Sequence, residues 1–291
     1  MEYRKLGRTG LKVSIISFGG VMARNMLQEE VKKAVSEAIN RGINLFDVGP
    51  TYGDSQDKLG PAIENYRQQI ILTCKTEPDN SKEEARKDLE NSLRLLKTDY
   101  FDVYQLHEVT DEDSLKKSLD SGGALEAILE AKEKGLVRYI GFSAHSEEYA
   151  LKLMDLFDFD TIMFPTNWNY WLNYNQGEAV IKKARETNKG ILAIKALAQR
   201  QWKEDETKDG YATWYKPLFD NDELAKLALK FTLSKDIDTA VSPGDKKLLI
   251  KCLDLVDECK GNYILSGAEE ENLESFLKTY GGKLYPMPPK V

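Results

Sequence analysis

The sequence predicts an α/β fold: a closed (β/α)8 barrel of the TIM type, with a small N-terminal hairpin and an extra C-terminal helix. Three observations carry this. Eight short apolar runs alternate with amphipathic segments along the chain, at intervals of roughly 25–35 residues. Runs such as Ile71-Leu72-Thr73-Cys74-Lys75 and Ile191 to Leu197 are nearly continuous in apolar residues, as parallel strands buried on both faces require. The first run ends in Phe18-Gly19-Gly20-Val21-Met22. That is not the G-x-G-x-x-G turn of a doubly wound dinucleotide-binding sheet, so the closed barrel is favoured.

Residues 1–12 contain the turn-like Leu6-Gly7-Arg8-Thr9-Gly10 and are expected to form a hairpin across the barrel floor. The eight runs, expected as strands, are Val13–Gly20, Asn44–Val48, Ile70–Lys75, Phe101–His107, Val137–Ser143, Thr161–Pro165, Gly190–Leu197 and Thr239–Ser242. Helical patterns lie between them. One places Val31, Ala34, Val35, Ala38 and Ile39 on a single face and stops at Gly42, a suitable C-terminal cap. Another opens with Ser81 and Glu84 at the spacing of a capping box, and a third closes on Gly135. Residues 268–280 read as the extra helix, and the Pro-Met-Pro-Pro tail after it as irregular chain. No linker divides residues 1–291, so one domain is expected.

Composition narrows the partners. A net charge of −7 argues against nucleic acid, whose phosphates need a basic face, but leaves room for a single nucleotide. Cys74, Cys252 and Cys259 form no CxxC pair, which suits a reducing cytoplasm better than a disulfide framework. The opening residues hold no apolar signal-peptide core, and no apolar run approaches 18 residues, so neither export nor a membrane partner is expected.

In such barrels chemistry gathers at the C-terminal ends of the strands. The second run leads into Asp47-Val48-Gly49-Pro50-Thr51-Tyr52, the third ends in Lys75, and the fourth ends in His107. Taken singly, each has an ordinary explanation: a helix cap, loop packing, a solvated ammonium, a satisfied imidazole. Together they converge on one mouth, because the strands are neighbours. The chain has only two histidines, His107 and His145, and both fall at expected strand ends.

With its Leu6–Ser14 opening, its Phe46–Gly53 and Thr73–Lys75 segments, the run up to His107 and the Gly141-Phe142-Ser143 of the fifth run, nearly the whole chain resembles the aldo-keto reductases, and the KALA segment resembles bacterial members. The resemblance implies NAD(P)H-dependent reduction of an aldehyde or ketone by hydride transfer from nicotinamide C4. Tyr52 would be the proton donor, Lys75 would lower its pKa, Asp47 would hold Lys75, and His107 would orient the carbonyl. The implied cofactor positions are Gly20 and Val21; Ser143, Met163 and Asn167 around the nicotinamide; Lys195, Ala196, Leu197 and Arg200 after the seventh strand; and Ser242, Gly244, Lys246 and Lys247 at a helix start after the eighth.

The chain departs from the family pattern in places. Ala144 stands where relatives carry Asn beside the serine, Met163 where they carry Gln, and no aromatic follows the seventh strand. Lys246 and Lys247 favour NADPH, with NADH as the other choice. Trp168, Trp171, Trp202 and His145 are the implied substrate pocket, with Tyr170 and Trp214 near them. The cysteine cluster that holds an iron–sulfur centre in some relatives is missing, so no metal is expected. Two alternatives stay open: a cofactor-binding sensor barrel without significant turnover, and a barrel aldolase or isomerase using Lys75 as a Schiff base. The substrate itself is not legible.

Overall fold

The structure, a computed structural model, describes residues 1–208 and 210–284; the Pro-rich tail lies outside them. Eight parallel strands close into a barrel. They are β1 (Ile16–Gly19), β2 (Leu45–Asp47), β3 (Ile71–Thr76), β4 (Phe101–Val109), β5 (Val137–Ala144), β6 (Thr161–Pro165), β7 (Gly190–Ile194) and β8 (Thr239–Val241). Closure comes from β8, which pairs Ala240 with Ile16 on β1 and Thr239 with Leu192 on β7. Helices follow each strand on the outside, and Gly267–Tyr280 is the additional one.

Period-2 alternation sorts the side chains. Phe46, Leu72, Cys74, Tyr104 and Leu106 belong to the outer core, under the helices. Leu45, Ile71, Val103, Met163 and Leu192 belong to the separate inner core. Helix Gln28–Asn40 buries Val31, Ala34, Val35 and Ala38, and Gly42 follows it with φ +90°, where a side chain would be strained. Ser81 and Glu84 form the expected capping box.

Tyr3–Lys5 pairs antiparallel with Lys12–Ser14 as the floor hairpin. Leu6, fully buried, packs into the inner core from below. The first expected strand therefore splits: Val13 belongs to the hairpin, a bend at Ile15 intervenes, and β1 starts at Ile16. Most other ends fall within one residue of expectation, and two move further. β4 runs beyond His107 to Val109, and β7 stops at Ile194 because Lys195 takes φ +71°, outside strand geometry. After that turn, Ala198–Gln201 and Tyr215–Pro217 pair as an antiparallel hairpin.

Candidate active site

The period that fills the inner core also carries functional groups to its upper end. On β2, Asp47 stands two residues after Leu45, and on β3, Lys75 stands four after Ile71. The pairing of Asp47 with Thr73 sets these strands side by side. Lys75 Nζ lies 2.8 Å from Asp47 Oδ2, with the two side chains 1% and 4% exposed. Thr73 donates to the other carboxylate oxygen at 2.7 Å. A buried charge is tolerated when paired and hydrogen-bonded, and both conditions are met here. Burial disfavours the Lys75 ammonium, but Asp47 and the nearby Tyr52 outweigh it and hold the amine well above its ordinary pKa. An amine kept charged is a poor nucleophile, which counts against Lys75 as a Schiff base.

Tyr52 arrives on the tight loop after β2 and turns over Lys75, whose Nζ lies 5.5 Å from the ring centroid. Gly49 makes the approach possible: a Cβ there would meet Lys75 Cγ at 3.1 Å and Tyr52 Cζ at 3.4 Å. Burial pushes the phenol up to about 12, against the pull of the Lys75 ammonium. The lysine acts in the expected direction, but desolvation is the larger effect.

His107 meets the tyrosine edge-on, with centroids 6.0 Å apart. Its Nδ1 lies 2.8 Å from Glu77 Oε1. A carboxylate can only accept, so Nδ1 carries the proton, and Nε2 donates to a ligand only from the doubly protonated ring.

Between Leu106 and Val109 the pairing of β4 with β5 shifts register, and Glu108 takes φ +56°. In a regular strand His107 and Glu108 would face opposite sides; the irregularity lets both line the same cavity. Glu108 Oε1 lies 3.0 Å from His145 Nδ1, and His145 Nε2 lies 3.1 Å from Lys195 Nζ. The Glu108 backbone N–H donates to Ser143 Oγ at 2.7 Å.

These groups surround a cavity of about 470 Å³ at the barrel mouth, and Tyr52, Asp47, Lys75 and His107 all line it. So do Gly20, Val21, Ser143, Met163, Lys195, Ser242, Gly244 and His145. The structure does not bring the other expected residues there. Asn167 is buried, donates to the Lys195 and Ala198 carbonyls and caps the next helix with its side-chain oxygen. Ala196 and Leu197 are in the outer core. Arg200 turns away to pair with Glu206.

Trp168 is fully buried, with its indole N–H on the Ala198 carbonyl, and Trp171 packs edge-on to Phe231. Trp202 donates to the Thr213 carbonyl and lines a different depression, with Arg200 and Tyr280. Lys246 and Lys247 start helix Lys246–Cys259 just outside the mouth, flanking a surface depression with Phe219. Asp245 caps that helix, accepting from the Lys247 N–H at 2.8 Å, so one amide expected to face an anion is already engaged.

The sequence reading missed Glu77, Glu108, Thr213 and Tyr215 as lining residues. Glu77 had a signal, since it stands two residues after Lys75. Trp214, expected near the substrate pocket, lines the cavity, sits 5.8 Å from the Tyr52 ring and is half exposed.

The cavity suits the nicotinamide end of a dinucleotide. Apolar Met163, Ile194 and Val241 line it, and the Ser143 and Ser242 hydroxyls are the polar points nearby. Gly19 and Gly20 keep β1 tight against its neighbours: a Cβ on Gly19 would meet the Ser242 carbonyl at 2.3 Å, and one on Gly20 the Asp47 carbonyl at 2.6 Å.

Comparison with known proteins agrees with the geometry. The model of the aldo/keto reductase family matches residues 15–248. The uncharacterized oxidoreductase YqkF of Bacillus subtilis is 31% identical over 237 residues, which are 74% of this chain and 73% of that protein. The aldo-keto reductase YhdN of the same organism is 27% identical over 247 residues, 75% of this chain and 72% of that one. An aldo-keto reductase from Bacillus halodurans, solved in its holo form, shares the fold with a TM-score of 0.71 at 22% identity, covering 98% of both chains. A barrel that gathers Asp47, Tyr52, Lys75 and His107 at one mouth, with a family match spanning most of its length, belongs to the aldo/keto reductase family of NAD(P)H-dependent oxidoreductases.

Proposed function

We propose that the protein reduces a small aldehyde or ketone to the alcohol, with Tyr52 as proton donor and NADPH as the preferred cofactor. The observation that carries this reading is the stacking of three groups in one cavity: the Asp47 carboxylate, 2.8 Å from the Lys75 ammonium, and above it the Tyr52 ring. A reduced nicotinamide, when bound, supplies the hydride to the carbonyl carbon. The protein must then supply a proton to an oxygen that is gaining negative charge. Tyr52, with its phenol pushed up to about 12, holds that proton at any ordinary pH. The buried Lys75 ammonium favours the phenolate left behind and so lowers the cost of giving the proton up. His107, oriented by Glu77, would donate from Nε2 to the same oxygen in its doubly protonated form.

Gly20, Val21, Ser143, Met163, Ser242 and Gly244 would hold the cofactor, and Lys246 and Lys247 would read a 2′-phosphate from the helix start. The three free, buried thiols support a cytoplasmic setting, and among the described residues no helix is long and apolar enough to cross a membrane. The test is absorbance at the nicotinamide band with NADPH or NADH and a panel of aldehydes. Turnover establishes the reductase. Tight cofactor binding without turnover on any carbonyl would favour the sensor reading instead.

A further inference from the structure

Nine of the ten arginines in the chain donate a hydrogen bond to a side-chain oxygen. The guanidinium of the tenth, Arg24, has no such acceptor among the described residues, and its Nε is buried without a partner. A guanidinium keeps its charge at any ordinary pH, and a covered donor with no acceptor forfeits its hydration for nothing in return.

Arg24 is nevertheless held in a built seat at the rim of the barrel mouth. It closes the short helical turn Gly20–Ala23 that follows β1, and its backbone N–H donates to the Val21 carbonyl at 3.1 Å. Asn25, next along, takes φ +62° and donates its N–H to Asp54 Oδ1 at 2.8 Å, which ties this turn to the loop that carries Tyr52. Gly53 gives the arginine stem its room: a Cβ there would meet Arg24 Cδ at 3.0 Å and Cγ at 3.1 Å. The guanidinium carbon lies over the Trp214 ring, 6.0 Å from its centroid, and the same ring stands 5.8 Å from that of Tyr52. A guanidinium laid on an aromatic face keeps its edge, with the fork of N–H donors, for another partner.

The protein supplies no counter-charge to that edge. Each carboxylate lining the cavity is engaged elsewhere: Asp47 with Lys75, Glu77 with His107 and Glu108 with His145. Asp54 accepts from Asn25 and forms no ion pair with Arg24. Nor does the arginine side with the expected cofactor positions. Val21, at the start of the turn, packs against Gly244 after β8, whereas Arg24 adjoins Gly53 and Trp214, beside the proton donor.

We propose that Arg24 determines substrate specificity, its guanidinium taking the carboxylate or phosphate of a carbonyl compound whose reacting carbon sits at Tyr52. The proposal rests on the reductase reading above and gives it a substrate class, anionic aldehydes and ketones. Either anion presents two oxygens to the guanidinium fork and satisfies the donors that the protein leaves open.

Steady-state reduction of three matched pairs tests it: 4-carboxybenzaldehyde against benzaldehyde, 4-oxobutanoate against butanal, and glycolaldehyde phosphate against glycolaldehyde. Arg24→Met and Arg24→Lys are compared with the parent. The quantity read is the ratio of kcat/KM, anionic over uncharged, within each pair, so that any general loss of activity cancels. The parent should favour the anionic member of at least one pair. In Arg24→Met that ratio should fall about tenfold to a hundredfold, mostly through KM, the loss typical of a hydrogen bond to a charged group. Arg24→Lys, which keeps the charge but not the fork, should fall between the two. The pairs that respond distinguish carboxylate from phosphate. Both members of every pair falling by the same factor in Arg24→Met would overturn the proposal, as would a parent that prefers no anion. So would unchanged ratios with weaker NADPH in fluorescence titration of Arg24→Met, which would give the guanidinium to the cofactor. A parent that reduces none of the six aldehydes would sink the reductase reading instead. Calorimetric titration with 4-(hydroxymethyl)benzoate and benzyl alcohol then decides on the arginine alone. Tighter binding of the anion, lost in Arg24→Met, would keep the anion site, and equal or undetectable binding would overturn it.

Discussion

Lys75 Nζ and Asp47 Oδ2 are 2.8 Å apart in a place where neither side chain is more than 4% exposed, so each charge depends on the other. Removing one member of such a pair leaves the other stranded and costs about 3–5 kcal/mol. Asp47→Ala should lose that much in urea denaturation, together with activity. The double variant Asp47→Leu, Lys75→Met should recover most of the stability and none of the activity. A double variant as unstable as the single would show that the pair is needed for packing and not only for charge balance.

Tyr52→Phe removes the proton donor and little else, since the ring keeps its place against His107 and Trp214. Aldehyde reduction should fall about 10²–10⁴-fold while cofactor affinity holds. Because the folded phenol is raised to about 12 from an unfolded value of about 10, it favours the folded state below pH 10, and that contribution is lost as pH rises through 12. Tyr52→Phe, which has no phenol to ionise, should lose less stability across that window than the parent does. Equal losses in denaturation melts would mean that the Tyr52 phenol is not shielded as described.

Glu77→Gln should lower kcat more than it raises KM. The amide can still accept from His107 Nδ1, but it brings no negative charge beside the ring. Steady-state kinetics measure the split, and a rise in KM with kcat unchanged would assign Glu77 a purely structural role.

Lys246→Ala combined with Lys247→Ala should weaken NADPH more than NADH, because both ammonium groups stand at the start of the helix that follows Gly244. Fluorescence titration with the two cofactors measures the difference, and Trp214 at the mouth is a natural reporter. Equal weakening of both cofactors would remove these lysines from 2′-phosphate recognition.

Much of this was open to reading in advance, for a physical reason. Strand ends announce themselves by where apolar runs stop, and Asp47, Lys75 and His107 fall at such stops. Glu108 does not. It reaches the cavity through a register shift and a left-handed residue, neither of which leaves a residue pattern. The aromatic cluster after β6 misleads for the opposite reason. Trp168 and Trp171 look like pocket walls in a list of residues, but aromatic character does not separate a wall from a core, and the short helix Trp168–Tyr174 turns them inward. The tyrosine pKa is half legible: the sequence names Lys75, which pulls the phenol down as expected, but not the extent of burial, which decides the net direction.

The floor hairpin has a kinetic corollary. With Leu6 wedged beneath Leu45, Ile71, Val103 and Leu192, the inner core stops the barrel below the cavity. Under the reading proposed above, two ligands that share the cavity would both arrive from the mouth, and the one seated deeper would be roofed by the other, so binding in a set order is the expected kinetic pattern.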